Sequence, residues 1–251
     1  MKYLHKIVLI FLAFSLLPLT IPRPTPTFAS NCGVTTVGFT PLNDLGTGSH
    51  LGSQGGLYPN GSNEKPAAHA QAGLDIAQNI QPLNGTGQVD EMNGRIILLS
   101  IGMSNASQEF LAFMSLDDPL RAGSVEIING AQGGKSSEFV SDPNDEFWTV
   151  LDQRLATNGV TAQQVQVLWI KEVRAKVQPD EVFPQDALIL QNQLRDIVQI
   201  AQANFPNLKI AYLSSRIYAG YASTDLSPEP EAYQSGFAVK WLIEAQIDGD
   251  P

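Results

Sequence analysis

The hydrophobic pattern becomes regular only after residue 94. From there on, short aliphatic runs alternate with longer stretches whose apolar positions recur every three or four residues. The aliphatic runs predict buried strands over residues 95–101, 124–129, 164–170 and 208–214. The amphipathic stretches predict helices over residues 105–114, 144–156, 185–204 and 229–247. Strands and helices that alternate in this way are typical of βαβ units, which form a parallel sheet.

The predicted fold is an α/β domain with a three-layer, flavodoxin-like parallel sheet in the strand order 2-1-3-4. In this order the first strand lies between the second and the third. Right-handed crossovers bring every strand-to-helix loop to the same edge of the sheet. Side chains in these loops are therefore the candidates for a functional site.

The first residues have the pattern of a secretory signal peptide. Lys2 and Lys6 precede an apolar run over residues 7–19, and small residues lead to an expected cleavage after Ala29. The apolar run is short for a membrane span. We therefore expect a secreted or periplasmic protein, with no stable membrane insertion once residues 1–29 are removed.

Composition divides the remainder into two parts. Residues 30–94 are rich in glycine and asparagine and are interpreted as an N-terminal extension, with one predicted helix over residues 67–80. Residues 95–251 form the regular domain.

Charge and cysteine content narrow the function classes. The formal net charge of -10 becomes -13 without the signal peptide, which holds three basic residues and no acidic one. Such a surface repels phosphate backbones, so no nucleic-acid partner is expected. Cys32 is the single cysteine, and the three histidines, His5, His50 and His69, are scattered. Neither a metal site nor a cofactor is predicted.

Ser104 is the first candidate for chemistry. It follows the first predicted strand in Gly102-Met103-Ser104-Asn105, where the strand ends and a helix begins. A serine hydroxyl at such a corner stands clear of the sheet, and the serine N–H joins the unpaired donors of the helix N-terminus. A nucleophile beside half of an oxyanion hole has this arrangement. A serine that only caps a helix gives the same pattern, so both interpretations stay open on this stretch alone.

The loops after the other strands carry further candidates. The residues expected to contact an oxyanion or a substrate are Gly133, Gly134, Lys171, Glu172, Arg216 and Tyr218. A glycine N–H can approach a developing oxyanion closely because no side chain blocks it. Lys171 and Glu172 follow the third strand, so we expect them to line the same cleft as Ser104. A tight glycine loop without a ligand, and a surface ion pair of Lys171 with Glu172, are the alternatives.

The order of these motifs resembles that of the SGNH (GDSL-like) hydrolases, most closely their sialate O-acetylesterase-like branch. Residues 102–105 match the nucleophile block, which reads Gly-x-Ser-Asn in that branch, and residues 130–134 match the second block. The resemblance covers residue 94 to the end. It implies that Ser104 is the nucleophile, that its N–H and that of Gly133 form the oxyanion hole, and that acyl esters, commonly acetyl groups on sugars, are the substrates. It implies no metal and no cofactor.

Two blocks depart from the family pattern. Where the third block usually has an asparagine, or a Gly-Glu pair, Lys171 and Glu172 follow Ile170. The Asp-x-x-His block, which supplies the general base, is absent, because no histidine follows His69. We therefore expect a C-terminally truncated SGNH-like domain that lacks a fifth strand and is a weak or inactive esterase, unless His50 or His69 serves as the base.

Two other functions fit the same residues. A carbohydrate-binding or cell-surface module on the same fold would use Trp169, Tyr218 and Tyr221 to stack on sugars. An esterase of the α/β-hydrolase type would use residues 102–106 as its nucleophile elbow, with Ala106 in the place of the last glycine. That fold places several strands before the elbow, and the N-terminal extension predicts none.

Overall fold

The structure, a computed structural model, describes residue 33 and residues 35–116, 120–175, 177–178 and 180–250. The predicted signal peptide, His5 and Cys32 lie outside the described residues. The elements of the N-terminal extension are α1 (Leu42–Leu45), β1 (Ser49–His50), β2 (Ser53–Gln54), a 3-10 turn (Pro59–Gly61) and α2 (Ala67–Ala77). Strands β1 and β2 pair as an antiparallel hairpin.

The regular domain alternates strands and helices as predicted. Its elements are β3 (Ile96–Gly102), α3 (Ser104–Met114), β4 (Val125–Ile128), α4 (Ser137–Val140), α5 (Glu146–Thr157), a 3-10 turn (Ala162–Gln164), β5 (Val165–Lys171), α6 (Gln185–Asn204), β6 (Ile210–Leu213) and α7 (Glu231–Ile247). The four strands form a parallel sheet in the order β4-β3-β5-β6, with helices around it. This confirms the α/β fold and the order 2-1-3-4. Helix α4 and the 3-10 turn at Ala162–Gln164 were not predicted, because elements of three or four residues carry too little periodicity.

Aliphatic and aromatic side chains between the sheet and its helices form the core. Ile97, Leu99 and Ile101 of the central strand β3 are fully buried, as the continuous apolar run requires. They share one cluster with residues of α5 and α6, such as Leu151 and Leu194. Burial of each large aliphatic side chain contributes about 1.5–3 kcal/mol, so this cluster is the main source of stability.

Strand β5 separates two environments. Leu168 and Ile170 belong to the core cluster, whereas the ring of Trp169 stacks on Phe110 of α3 at 5.6 Å between centroids. Successive side chains of a strand point to opposite faces of the sheet. Lys171, the last residue of β5, therefore lies on the α3 face with Trp169.

The N-terminal extension packs on the regular domain through backbone contacts. Leu83 and Arg95 exchange two backbone hydrogen bonds of 3.0 and 2.8 Å, which fixes the approach to β3. Gly56 and Gly61 both have positive φ, and a Cβ on Gly56 would lie 2.3 Å from the carbonyl carbon of Gly61. Only glycine allows this close approach, so the glycine-rich stretch is a compact structure.

Within the ranges that the structure describes, no helix has both the length and the apolar character needed to cross a membrane.

Candidate functional site

Ser104 is the first residue of α3 and is exposed at the carboxyl end of the central strand. Met103 occupies the N-cap position in extended conformation, and no side chain caps the helix. The first intrahelical bond of the turn runs from the N–H of Ser107 to the carbonyl of Met103, at 2.9 Å. The earlier N–H groups of the helix therefore remain available to an acceptor, and the helix dipole favours a negative charge there.

The glycine-rich loop after β4 lies against this corner. The N–H of Gln132 donates to the carbonyl of Gly102 at 2.8 Å, which ties the loop to the end of β3. A Cβ built on Gly133 would lie 3.8 Å from that of Ser104, and Gly134 has a φ of 79°. The structure thus brings Ser104 and Gly133 together.

Asn129 holds the start of this loop in place. Its side-chain oxygen accepts hydrogen bonds from the hydroxyl of Ser100 at 3.0 Å and from the N–H of Ala131 at 3.1 Å. Its side-chain nitrogen donates to the hydroxyl of Ser107 at 2.8 Å. Both the oxygen and the nitrogen of the Asn129 side chain thus form hydrogen bonds. Asn129 connects β3, β4 and α3 and fixes the position of the glycines relative to Ser104.

No base touches Ser104 in the part of the chain that the structure describes. The hydroxyl of Ser104 has no hydrogen-bond partner there. His50 is surrounded by the rings of Phe39, Phe183, Tyr233 and Phe237, with centroids 5.0 to 5.8 Å away. The ring of His69 lies 6.3 Å from that of Tyr58. Both histidines thus pack against aromatic residues, and neither has a hydrogen bond with Ser104 among the described residues.

Lys171, which is buried, forms an ion pair with a partly exposed residue that the sequence analysis did not single out. Its side chain is 2% exposed, and its Nζ donates to both carboxylate oxygens of Glu109, at 2.5 and 2.6 Å. Glu109 lies on α3, five residues after Ser104. The pair connects β5 to the helix that begins with the candidate nucleophile. The sequence could have indicated this partner. Glu109 is a carboxylate in the predicted helix over residues 105–114, which begins at the loop edge of the sheet.

Glu172 lies away from its neighbour Lys171. It is 1% exposed, and neither carboxylate oxygen has a hydrogen-bond partner within the described residues. Burial, with the negative charge of Glu138 as a smaller cause, raises the pKa of Glu172 well above 4.5. The N–H of Ser137, in α4, donates to the carbonyl of Val173, so this part of the chain packs toward α4. Glu172 therefore does not form a surface ion pair with Lys171.

A groove of about 870 Å³ adjoins the Lys171 pair. It is lined by the ends of β5 and β6, the loop after β6, helix α7, and residues 35–43 and 57–58 of the extension. Lys171, Arg216 and Tyr218 all line it, whereas Ser104, Gly133 and Glu172 do not. The structure thus divides the predicted residues between a Ser104 corner, made of Ser104 and the glycine loop, and this groove.

Arg216 is the main hydrogen-bond donor in the groove. Its backbone N–H donates to the hydroxyl of Ser235 at 3.0 Å, and its Nη2 donates to the carbonyl of Leu226 at 3.0 Å. Its Nε is buried without an acceptor among the described residues. Burial lowers the pKa of the guanidinium, although it stays charged at physiological pH.

Comparison with known proteins adds no assignment: neither a scan of protein-family models nor a search of curated proteins finds a match.

Proposed function

We propose that this chain is a secreted serine esterase of the SGNH type that removes acyl groups, such as acetyl, from carbohydrate. The observation that carries the proposal is the Ser104 corner. An exposed serine begins a helix at the end of the central strand, and a Cβ built on Gly133, in the glycine loop after the neighbouring strand, would lie 3.8 Å from the Cβ of Ser104. The motif order that resembles the SGNH hydrolases supports the same assignment.

The proposed reaction is a two-step acyl transfer. The Oγ of Ser104 attacks the ester carbonyl, and the N–H groups of Ser104 and Gly133 donate hydrogen bonds to the oxyanion. The C–O bond of the ester breaks, the alcohol leaves with a proton, and the acyl group stays on Oγ. Water then attacks the acyl-serine, which releases a carboxylic acid and restores the hydroxyl of Ser104.

The proton of Ser104 needs a base, and base assistance determines the rate. A positioned base contributes about 10²–10⁴-fold to such a step. The sequence has no histidine after His69, and His50 and His69 pack against aromatic rings. We therefore expect the 251-residue chain alone to hydrolyse esters slowly.

A carbohydrate-binding module on the same fold is the second candidate. Two observations together favour it. The groove has a volume of about 870 Å³, and Ser104 has no hydrogen bond with a base in the described part of the chain. Such a module would bind sugars without any reaction at Ser104.

Hydrolysis of p-nitrophenyl acetate with and without added imidazole separates the two candidates. Imidazole in solution replaces a missing base, so the protein-dependent rate rises with imidazole after the rate of imidazole alone is subtracted. Ser104→Ala abolishes this rise, whereas Ser223→Ala, at an exposed serine of another loop, retains it. A rate that is equal in Ser104→Ala and the unmodified protein would refute the esterase assignment.

A further inference from the structure

The N-terminal extension takes part in forming the groove. Residues 35–43 and 57–58, which we call the N-terminal wall, line it together with α7 and the loop after β6. The wall packs directly on α7, where the ring of Phe39 stacks on that of Tyr233 at 4.9 Å between centroids. Phe39 and Tyr58 of the wall lie in the same lining as Trp169 and Tyr233 of the regular domain. The segment that composition marks as an N-terminal extension thus contributes part of the lining of this groove.

A buried lysine holds the extension on α7. Lys240 is 4% exposed, and its Nζ donates to the carbonyls of Gln54 and Gly55, both at 2.8 Å, and lies 3.4 Å from a carboxylate oxygen of Glu244. The aromatic rings around His50 add a second contact between the hairpin and α7. These contacts fix the N-terminal wall relative to Arg216, because α7 and the loop after β6 share the hydrogen bond from Arg216 to Ser235.

The lining has the mixed chemistry that a sugar chain requires. The lining contains aromatic rings together with hydroxyl, amide and guanidinium groups, and a sugar presents apolar C–H faces together with hydroxyls. The charged residues are three cations and two carboxylates, in a chain whose net charge is -10. The two carboxylates are engaged: Glu109 by Lys171, and Glu229 by the N–H groups of Ala219 and Tyr233. The volume lies in the upper part of the range for ligand sites, about 300–1,000 Å³.

We infer that the groove binds the alcohol portion of the ester as an oligosaccharide, and that the N-terminal wall determines which oligosaccharide binds. The inference rests on the proposed function in one respect, the placement of the acyl group at Ser104. Binding of an oligosaccharide in the groove needs no reaction at Ser104. Tyr58 supplies a stacking surface on the wall, and Arg216 lines the same groove.

Calorimetric titration of Ser104→Ala with unesterified tetrasaccharides tests binding apart from catalysis. The probes are cellotetraose, xylotetraose and chitotetraose, and we expect at least one of them to bind. In this background Tyr58→Ala weakens the Kd at least tenfold, whereas Met92→Ala, at a highly exposed residue outside the groove, leaves the Kd unchanged. Lys240→Met is expected to weaken binding as well, and thermal melting shows which variants remain folded.

The outcomes separate this inference from the esterase proposal. Absence of binding by all three tetrasaccharides overturns the inference even if Ser104 hydrolyses p-nitrophenyl acetate. Equal affinity in Tyr58→Ala and its parent overturns the role of the wall. Binding of octanoate in place of sugars would assign the groove to an acyl chain and overturn the oligosaccharide assignment. Tight, Tyr58-dependent binding together with an unreactive Ser104 supports the inference and refutes the esterase.

Discussion

The Ser104 corner and the groove lie at the same edge of the sheet but are built differently. The corner consists of a strand end, a helix start and one glycine loop, and its serine is exposed and without a hydrogen-bond partner among the described residues. The groove depends on contacts between distant parts of the chain, such as the hydrogen bond from Lys240 to Gln54. The difference teaches that two candidate regions at one sheet edge can have separate structural supports. Substitutions should therefore affect the two regions separately.

The largest effect on stability is expected from Glu109→Gln. This change leaves the ammonium of Lys171, whose side chain is 2% exposed, without a carboxylate. Because the side chain of Glu109 is itself 36% exposed, the loss is smaller than for a fully buried pair, about 1–3 kcal/mol. Urea denaturation followed by circular dichroism measures the loss. Because Glu109 lies on α3, this variant also shows whether the corner and the groove are coupled.

The matched control for Glu109→Gln is Glu126→Gln. Glu126 pairs with Arg95 at 3.8 Å, and both side chains are partly exposed. Such a pair contributes at most about 1 kcal/mol. Similar losses in the two variants would contradict the account of the Lys171 pair.

A pH-dependent effect is expected from Glu172→Gln. The raised pKa of Glu172 keeps its carboxyl protonated in the folded state at a pH where the unfolded chain is already ionised. The folded state then binds more protons, so stability falls as pH rises above 4.5, by up to about 1.4 kcal/mol per pH unit for this one group. Glu172→Gln removes this contribution. Urea denaturation at pH 5 and pH 7 measures the effect. The free energy of unfolding should fall less between the two pH values in Glu172→Gln than in the unmodified protein. An equal fall in the two proteins would be evidence against a buried carboxyl without a hydrogen-bond partner.

The smallest effect is expected from His50→Phe. Burial among aromatic rings lowers the pKa of His50 below 6.5. The unfolded chain then binds the proton more readily than the folded one, so this group makes the protein less stable as pH falls through 6.5. Phenylalanine fits the ring cluster and removes the effect. Tm values at pH 5 and pH 7 should differ less in His50→Phe than in the unmodified protein, and an equal difference in the two proteins would contradict the effect of burial on His50.

The two regions also differ in how far the sequence predicts them. The strand order and the Ser104 corner follow from local patterns, since an aliphatic run, a glycine and a polar cluster occupy one continuous stretch. Loops that follow parallel strands lie at one edge of the sheet, and this rule led to the expectation that Lys171 and Glu172 line the same cleft. In the structure Lys171 lines the groove and Glu172 does not, because neighbouring residues at a strand end point to opposite faces. The Lys240 contacts join residues more than 180 positions apart, and no local pattern indicates such a pairing.

The central claim is that Ser104 is a nucleophile, and labelling with a fluorophosphonate probe followed by peptide mass spectrometry tests it most directly. The probe phosphonylates a reactive serine hydroxyl and releases fluoride. The account predicts an adduct on the peptide that contains Ser104, none on the peptide with exposed Ser223, and no labelling of Ser104→Ala. Labelling that persists in Ser104→Ala, or an unmodified Ser104 beside a labelled Ser223, would contradict the assignment of Ser104 as the nucleophile.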